Sequence, residues 1–161
     1  MSGNDTVLVV GLGRVGLASP MHARAMGASR LFGVDVVAER VELAQKLGLA
    51  DEVFVSREET LQEIRQRTAG AGCERTIDSS GNTHGRQLAI RSTRKWGRCV
   101  FIGEGGTVEF NPSPGIIHDR IAIHGSWVTS IWKMEDLAKR LVRWNIHPED
   151  LVTHRLFLTR S

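Results

Sequence analysis

The residues with the clearest chemical meaning stand near the amino terminus, in the run Gly11-Leu12-Gly13-Arg14-Val15-Gly16. This run follows a short β-branched segment, Thr6–Val10 (TVLVV), and opens a stretch of helical composition. A glycine turn between a strand and a helix aims unpaired backbone N–H groups and the positive end of the helix dipole at one point, which suits an anion. Gly11 permits the tight turn, Gly13 lets a pyrophosphate approach the backbone, and Gly16 lets the helix pack closely on the sheet. Asp35 supplies the second half of the signal. It closes the next apolar segment roughly 20 residues on, where a carboxylate can accept hydrogen bonds from both hydroxyls of a ribose. A 2′-phosphate at that place would meet a like charge, so the pattern favours NAD over NADP. Arg40, a little further along, offsets part of that repulsion. S-adenosylmethionine is the runner-up ligand, since it too uses a glycine turn followed by an acid, but the three-glycine spacing favours a dinucleotide.

No second centre of chemistry is visible. The six histidines (22, 84, 118, 124, 147 and 154) show no metal-type spacing with an acid or a cysteine. Cys73 and Cys99 lie far apart with no CxxC, and both read as small core fillers in a reduced protein. His22 falls on the first helix as a packing or surface residue, and His124 falls in a strand as the weaker candidate for a site role. A Ser-Lys-Tyr arrangement is excluded because the chain has no tyrosine. The acid pairs Glu58/Glu59 and Glu135/Asp136 read as helix N-terminal residues that favour the dipole. The sequence therefore offers a cofactor site, with no catalytic residues and no metal ligands of its own.

The elements that position these residues alternate in type. Strands are expected at Thr6–Val10, 31–35, Glu52–Val55, 76–78 (perhaps from Cys73) and 99–102. Helices are expected after Gly16 as far as Gly27, over 37–47 with Gly48 as cap, after a Ser56–Glu59 capping box, and over 82–95. Val37, Val41, Ala44 and Leu47 share one face of the second helix, and Leu61 and Ile64 carry the third to the core. Strands alternating with helices of about ten residues imply a doubly wound, Rossmann-type parallel sheet with helices on both faces. Pro20 sits inside the first helix, where a missing N–H and a ring clash predict a kink. Beyond Gly103 the rhythm changes. An alternating strand over 107–110, a turn at NPSPG, a strand over 121–128, a helix over 136–144 and a last strand over 154–158 are expected. The whole chain, 1–161, reads as one dinucleotide-binding α/β domain.

Composition narrows the class. The chain has 161 residues, 41% hydrophobic and 24% charged, which is ordinary for a globular protein with a real core. The net charge is +3, and the basic residues are scattered. Neither a nucleic-acid surface nor a membrane segment is indicated. The start lacks a basic stretch followed by a long apolar run, so a signal peptide is not expected and the cytoplasm is.

Several ordered segments carry a resemblance: VLVVGLGRVGLAS, GVDVVAERVELAQKLG, IDSSGN, GEGGTVEFNPSPGIIH and IHGSWVTS. Together they resemble the medium-chain, zinc-dependent alcohol dehydrogenases, in particular the polyol and threonine dehydrogenase-like branch. The likeness extends over nearly the whole chain and implies the cofactor half of such an enzyme. In that family a zinc-bearing catalytic domain precedes this segment, so zinc ligands would lie outside these residues. Zinc there would polarise the oxygen of a secondary alcohol. The resemblance implies that Arg14 and Val15 present N–H groups to the pyrophosphate, that Asp35 holds the adenosine ribose, and that Arg40 flanks it. It places Ser80 and Gly81 on the nicotinamide side of the crevice. It also places Ile102, Gly103 and Glu104 at the nicotinamide ribose and ring, and Ser126 and Trp127 near the carboxamide. The segment IAIHGSW, 121–127, matches the strand that family members pair across a two-fold axis, which implies a homodimer. Arg14 is bulky for its place in the loop, a departure from the pattern. The alternative is a stand-alone dinucleotide-binding module or sensor without catalytic activity.

Overall fold

A computed structural model of the chain describes residues 1–157. The apolar runs form six strands: β1 (Thr6–Val10), β2 (Arg30–Asp35), β3 (Glu52–Val55), β4 (Cys73–Asp78), β5 (Thr93–Phe101) and β6 (Ala122–Gly125). The helices are α1 (Arg14–Ala25), α2 (Ala38–Lys46), α3 (Thr60–Arg67), α4 (Thr83–Ser92) and α5 (Ile131–Trp144). All strand pairs are parallel, in the order β3-β2-β1-β4-β5-β6. The chain is a single Rossmann-type α/β domain, as the alternation of strand and helix requires.

The side chains of β1 show why a parallel sheet needs continuous apolar strands. Successive residues point to opposite faces. Leu8 and Val10 pack with Phe32, Ile64, Ala89 and Ile90, on the face covered by α3 and α4. Val9 packs with Leu12, Leu17, Val41 and Ala44, on the face covered by α1 and α2, and Val7 joins Ala23 and Leu31 there. Cys73 and Cys99 are fully buried in the first of these clusters, as core fillers should be.

Several expectations are corrected. The fourth helix ends at Ser92, not at 95, and β5 begins at once with Thr93. Thr93 accounts for the early switch. Its hydroxyl donates to the carbonyl of Ala89 at 2.8 Å and meets Thr76 Oγ1 at 2.7 Å, so it ends the helix while entering the sheet opposite Cys73. The Ser56–Glu59 capping box does not form. α3 begins at Thr60, whose hydroxyl accepts from the N–H of Arg57 at 2.8 Å. No strand forms over 107–110. Gly105 and Gly106, with φ of +101° and +50°, carry the chain against the loop after β4, where a Cβ on Gly106 would come within 2.6 Å of the carbonyl oxygen of Gly81. The strand expected over 121–128 is confined to β6, and the last helix starts earlier, at Ile131. Residues 154–157 form no strand, and Leu158, the end of that expected element, lies outside the described residues. α1 runs without a break through Pro20, which is buried. The missing N–H at Pro20 leaves the carbonyl of Gly16 without its helical donor.

Candidate functional site

The strand order reverses between β1 and β4, and a crevice at such a switch point is where open α/β sheets hold their ligands. Register brings the surrounding loops to one level. Val10 pairs with Val34 and Asp78, Asp78 with Phe101, and Phe101 with Gly125. The loops that follow β1, β2, β4, β5 and β6 therefore all leave the same edge of the sheet.

A cleft of about 150 Å³ opens there. Among the sequence candidates, Gly11, Gly13, Asp35, Arg40 and Ser80 line it. Gly11 has φ of +89°, and a Cβ on it would come within 2.6 Å of the backbone nitrogen of Ser80. A Cβ on Gly16 would overlap the carbonyl oxygen of Gly11, so Gly16 supports the loop from behind. Gly13 differs: a Cβ there would meet nothing within 4 Å. The space beside it is open to a ligand. No acceptor among the described residues meets the N–H groups of Gly13, Arg14, Val15 and Gly16, and the first turn of α1 carries no acid. These four donors and the helix dipole face an uncompensated position.

Asp35 is almost fully buried. Its Oδ2 accepts from the N–H of Leu12 at 2.6 Å and its Oδ1 from the N–H of Val37 at 2.9 Å. The carboxylate thus ties the glycine loop to the start of α2. Its two oxygens have about four acceptor positions, so each can take a further donor. Arg40 approaches Oδ2 at 3.5 Å with an exposed guanidinium.

On the other side of the switch point, Asp78 is fully buried at the end of β4. Its Oδ1 accepts from the hydroxyl of Ser80 at 2.6 Å and its Oδ2 from the N–H of Gly81 at 3.3 Å. The backbone carbonyl of Asp78 accepts from Ile102 and Gly103 at 2.8 and 3.0 Å. Gly81 and Gly103 pack backbone to backbone, with no room for a Cβ on either. Glu104, Ser126 and Trp127 are exposed beyond the ends of β5 and β6, on the same edge but outside the wall of the cleft. Arg14 and Val15 are also exposed and outside it.

The cleft has wall residues that sequence reasoning did not single out: Ser56, Ser79, Asn82 and His84. The S-x-x-E spacing predicts a helix cap at Ser56, yet its N–H donates to the carbonyl of Asp35 at 2.8 Å and brings the residue to the cleft. Ser79 carries a buried hydroxyl oxygen that has no hydrogen-bond partner. A buried polar atom without a partner beside a cleft calls for an explanation, and a ligand supplies one. The available signal is the pair of serines before the glycine in IDSSGN. His22 lies on α1 with Nδ1 2.8 Å from the carbonyl of Ala18, and His124 is exposed on β6; neither lines the cleft. Burial pushes the thiol of Cys73 up to about 12 and that of Cys99 to about 11, so neither is a thiolate near neutral pH. Among the described residues, no group of three or more histidines, cysteines or acids could hold a metal ion.

Comparison with known proteins settles the kinship. The sequence profile described as zinc-binding dehydrogenase matches residues 15–144. The chain belongs to the zinc-binding dehydrogenase family. An uncharacterized zinc-type alcohol dehydrogenase-like protein, YphC of Escherichia coli K12, is 44% identical over the whole chain, which covers 46% of that relative. The NADP-dependent isopropanol dehydrogenase of Entamoeba histolytica is 28% identical over 94% of the chain and 43% of its own length. Among solved structures, the short chain alcohol dehydrogenase rspB of E. coli CFT073, complexed with cofactor NADH, superposes with a TM-score of 0.78 at 26% identity. That match covers 95% of this chain and 45% of the other. The chain thus spans under half the length of these relatives. No helix among its described residues is long and apolar enough to cross a membrane.

Proposed function

We propose that this chain is the cofactor-binding part of a zinc-dependent, medium-chain alcohol dehydrogenase-like oxidoreductase. It holds NAD(H) for hydride transfer to or from a secondary alcohol. One observation carries the reading: at the switch point, the start of α1 has four unmet N–H groups, and Gly13, the first of them, lines the same cleft as the buried carboxylate of Asp35. The spacing suits a pyrophosphate on the first and a ribose on the second. The open space at Gly13 and the unpartnered hydroxyl of Ser79 fit the same ligand. Asp35 would accept from the adenosine ribose, with Arg40 beside it. Ser80 and Gly81 would line the nicotinamide side, and Ile102, Gly103 and Glu104 would reach the nicotinamide ribose and ring. Ser126 and Trp127 would approach the carboxamide from the end of β6.

Bound in this cleft, the oxidised cofactor supplies a hydride acceptor. The chain's own work is binding and orientation. Asp35 also sets the preference for NAD, because a 2′-phosphate beside a buried carboxylate is repelled, and an exposed guanidinium 3.5 Å away offsets only part of that. A cytoplasmic setting suits a nicotinamide enzyme with two buried free thiols. Parallel titration of the purified chain with NADH and NADPH tests the reading. Saturable NADH binding at least about tenfold tighter than NADPH is expected, a difference of about 1.4 kcal/mol. Equal affinity would remove the Asp35 argument.

The partner surface follows from topology. β6 is an edge strand with one side unpaired, and the residues after it, Trp127, Val128, Ile131 and Trp132, are exposed. An open edge beside apolar side chains invites a second strand. A homodimer through 121–127 satisfies both features. Light scattering that finds only monomer at high micromolar concentration would count against it.

A further inference from the structure

Arg86 on α4 is a charged residue that the reading above leaves without a role. Its side chain is 13% exposed and lies 3.6 Å, through Nε, from the fully buried carboxylate of Asp78. Its other two nitrogens reach past Asp78 to a different loop. Nη1 donates to the carbonyl of Gly106 at 2.6 Å, and Nη2 donates to the carbonyl of Gly103 at 2.8 Å. The guanidinium also lies over the ring of Phe101, 5.5 Å from its centre. A rigid planar fork that grips two carbonyls at once is a property of arginine that lysine does not share.

Asp78 completes the arrangement from the opposite side. Its carboxylate takes the backbone N–H and hydroxyl of Ser80 and the N–H of Gly81. One buried ion pair therefore joins the loop after β4 to the loop after β5. The second of these loops has two glycines at positive φ, Gly105 and Gly106, and an exposed surface; besides Arg86 it is held by the N–H of Gly103 on the Asp78 carbonyl and by backbone packing against Gly81. The cofactor's adenosine half belongs over β1–β3, where Asp35 stands. The nicotinamide half belongs over β4–β6, where these loops stand.

We infer that Arg86 is a positioning residue for the nicotinamide half of the cofactor: it fixes the 103–106 loop by two carbonyl contacts and is charge-balanced by Asp78. The inference rests on the dinucleotide reading above. It predicts an asymmetry that a general packing role does not produce. Loss of the fork loosens the nicotinamide side and leaves the adenosine side intact.

The test is isothermal titration of the purified chain and its Arg86→Gln and Arg86→Lys variants with NADH and, separately, with 5′-AMP. Thermal unfolding establishes that each variant is folded. In Arg86→Gln the NADH dissociation constant is expected to rise about tenfold or more, the equivalent of about 1.4 kcal/mol. The AMP constant is expected to stay within about twofold. Arg86→Lys keeps the charge but not the fork, and falls between the two. Hydrogen exchange supplies a readout free of ligand: the amides of 103–106 exchange faster in Arg86→Gln, while those of 11–16 do not. If the wild-type chain binds NADH and AMP, and a folded variant loses both alike or neither, the role of Arg86 is overturned and the cofactor reading stands. If the wild-type chain binds neither, the cofactor reading falls and takes this role with it. If Arg86→Gln does not fold, Arg86→Lys decides: unchanged NADH affinity there overturns the inference.

Discussion

Replacing Asp35 by asparagine changes one oxygen to an NH₂ group, and the structure says what that costs. Both carboxylate oxygens already accept a backbone N–H, from Leu12 at 2.6 Å and from Val37 at 2.9 Å. Asparagine has a single acceptor oxygen, so one of these two donors must face a second donor. The side chain is almost fully buried, so the displaced donor has little access to water. Leaving a buried donor unmet costs about 1–3 kcal/mol. The exposed Arg40 adds little, since an ion pair at 3.5 Å with one partner in solvent is worth about 0–1 kcal/mol. A loss near the middle of that range, about 2 kcal/mol, corresponds to a drop of about 4–8 °C in Tm for a domain of this size. Urea unfolding of wild type and Asp35→Asn, with no nucleotide present, measures the loss directly. NADH titration of the same variant then reports the separate effect on the ribose contact. An Asp35→Asn chain as stable as wild type without ligand would refute the view that this carboxylate holds the glycine loop.

Three further outcomes follow from the same geometry. Gly16→Ala places a Cβ against the carbonyl oxygen of Gly11, so the turn must shift. A stability loss of about 1–3 kcal/mol in urea unfolding, together with loss of NADH binding, is expected. Glu52 is raised by burial but more strongly lowered by hydrogen bonds from Arg67 and Arg30, leaving its folded pKa below 4.5. A depressed acid stabilises the fold above its unfolded pKa and loses that contribution as pH falls through the folded value. Glu52→Gln is therefore less stable than wild type at pH 7, and the gap between their urea midpoints narrows as the pH falls below 4.5. Cys73 and Cys99, buried and held as thiols, are expected to resist a thiol reagent in the native chain and to react fully in denaturant.

How much of this was legible in the sequence depends on how local each signal is. β1, the glycine loop and Asp35 were readable because each requirement is set by a few adjacent residues. Only glycine fits at 11 and 16, and only an unbroken apolar run suits a strand buried on both faces. The end of α4 was not readable. It depends on Thr93 meeting Thr76, a contact between residues far apart in the chain. Ser56 is not legible for the same reason, since the S-x-x-E spacing is a local signal while its bond to the carbonyl of Asp35 is not. The alternation at 107–110 looked like a strand, but a strand needs a partner, and pairing is set by the turn at Gly105 and Gly106. Arg86 carries no sequence signal at all. An arginine within a helix gives no hint that its fork will span two loops beyond the ends of β4 and β5.

The claim on which the account turns is that this cleft binds a dinucleotide through the start of α1 and Asp35. The most direct measurement is calorimetric titration of the purified 161-residue chain with NADH, with NADPH run in parallel. The account predicts one NADH bound per chain, with NADPH weaker by about tenfold or more. Heat-silent, unsaturable titrations with both nucleotides, on a chain that unfolds cooperatively on heating, would contradict it.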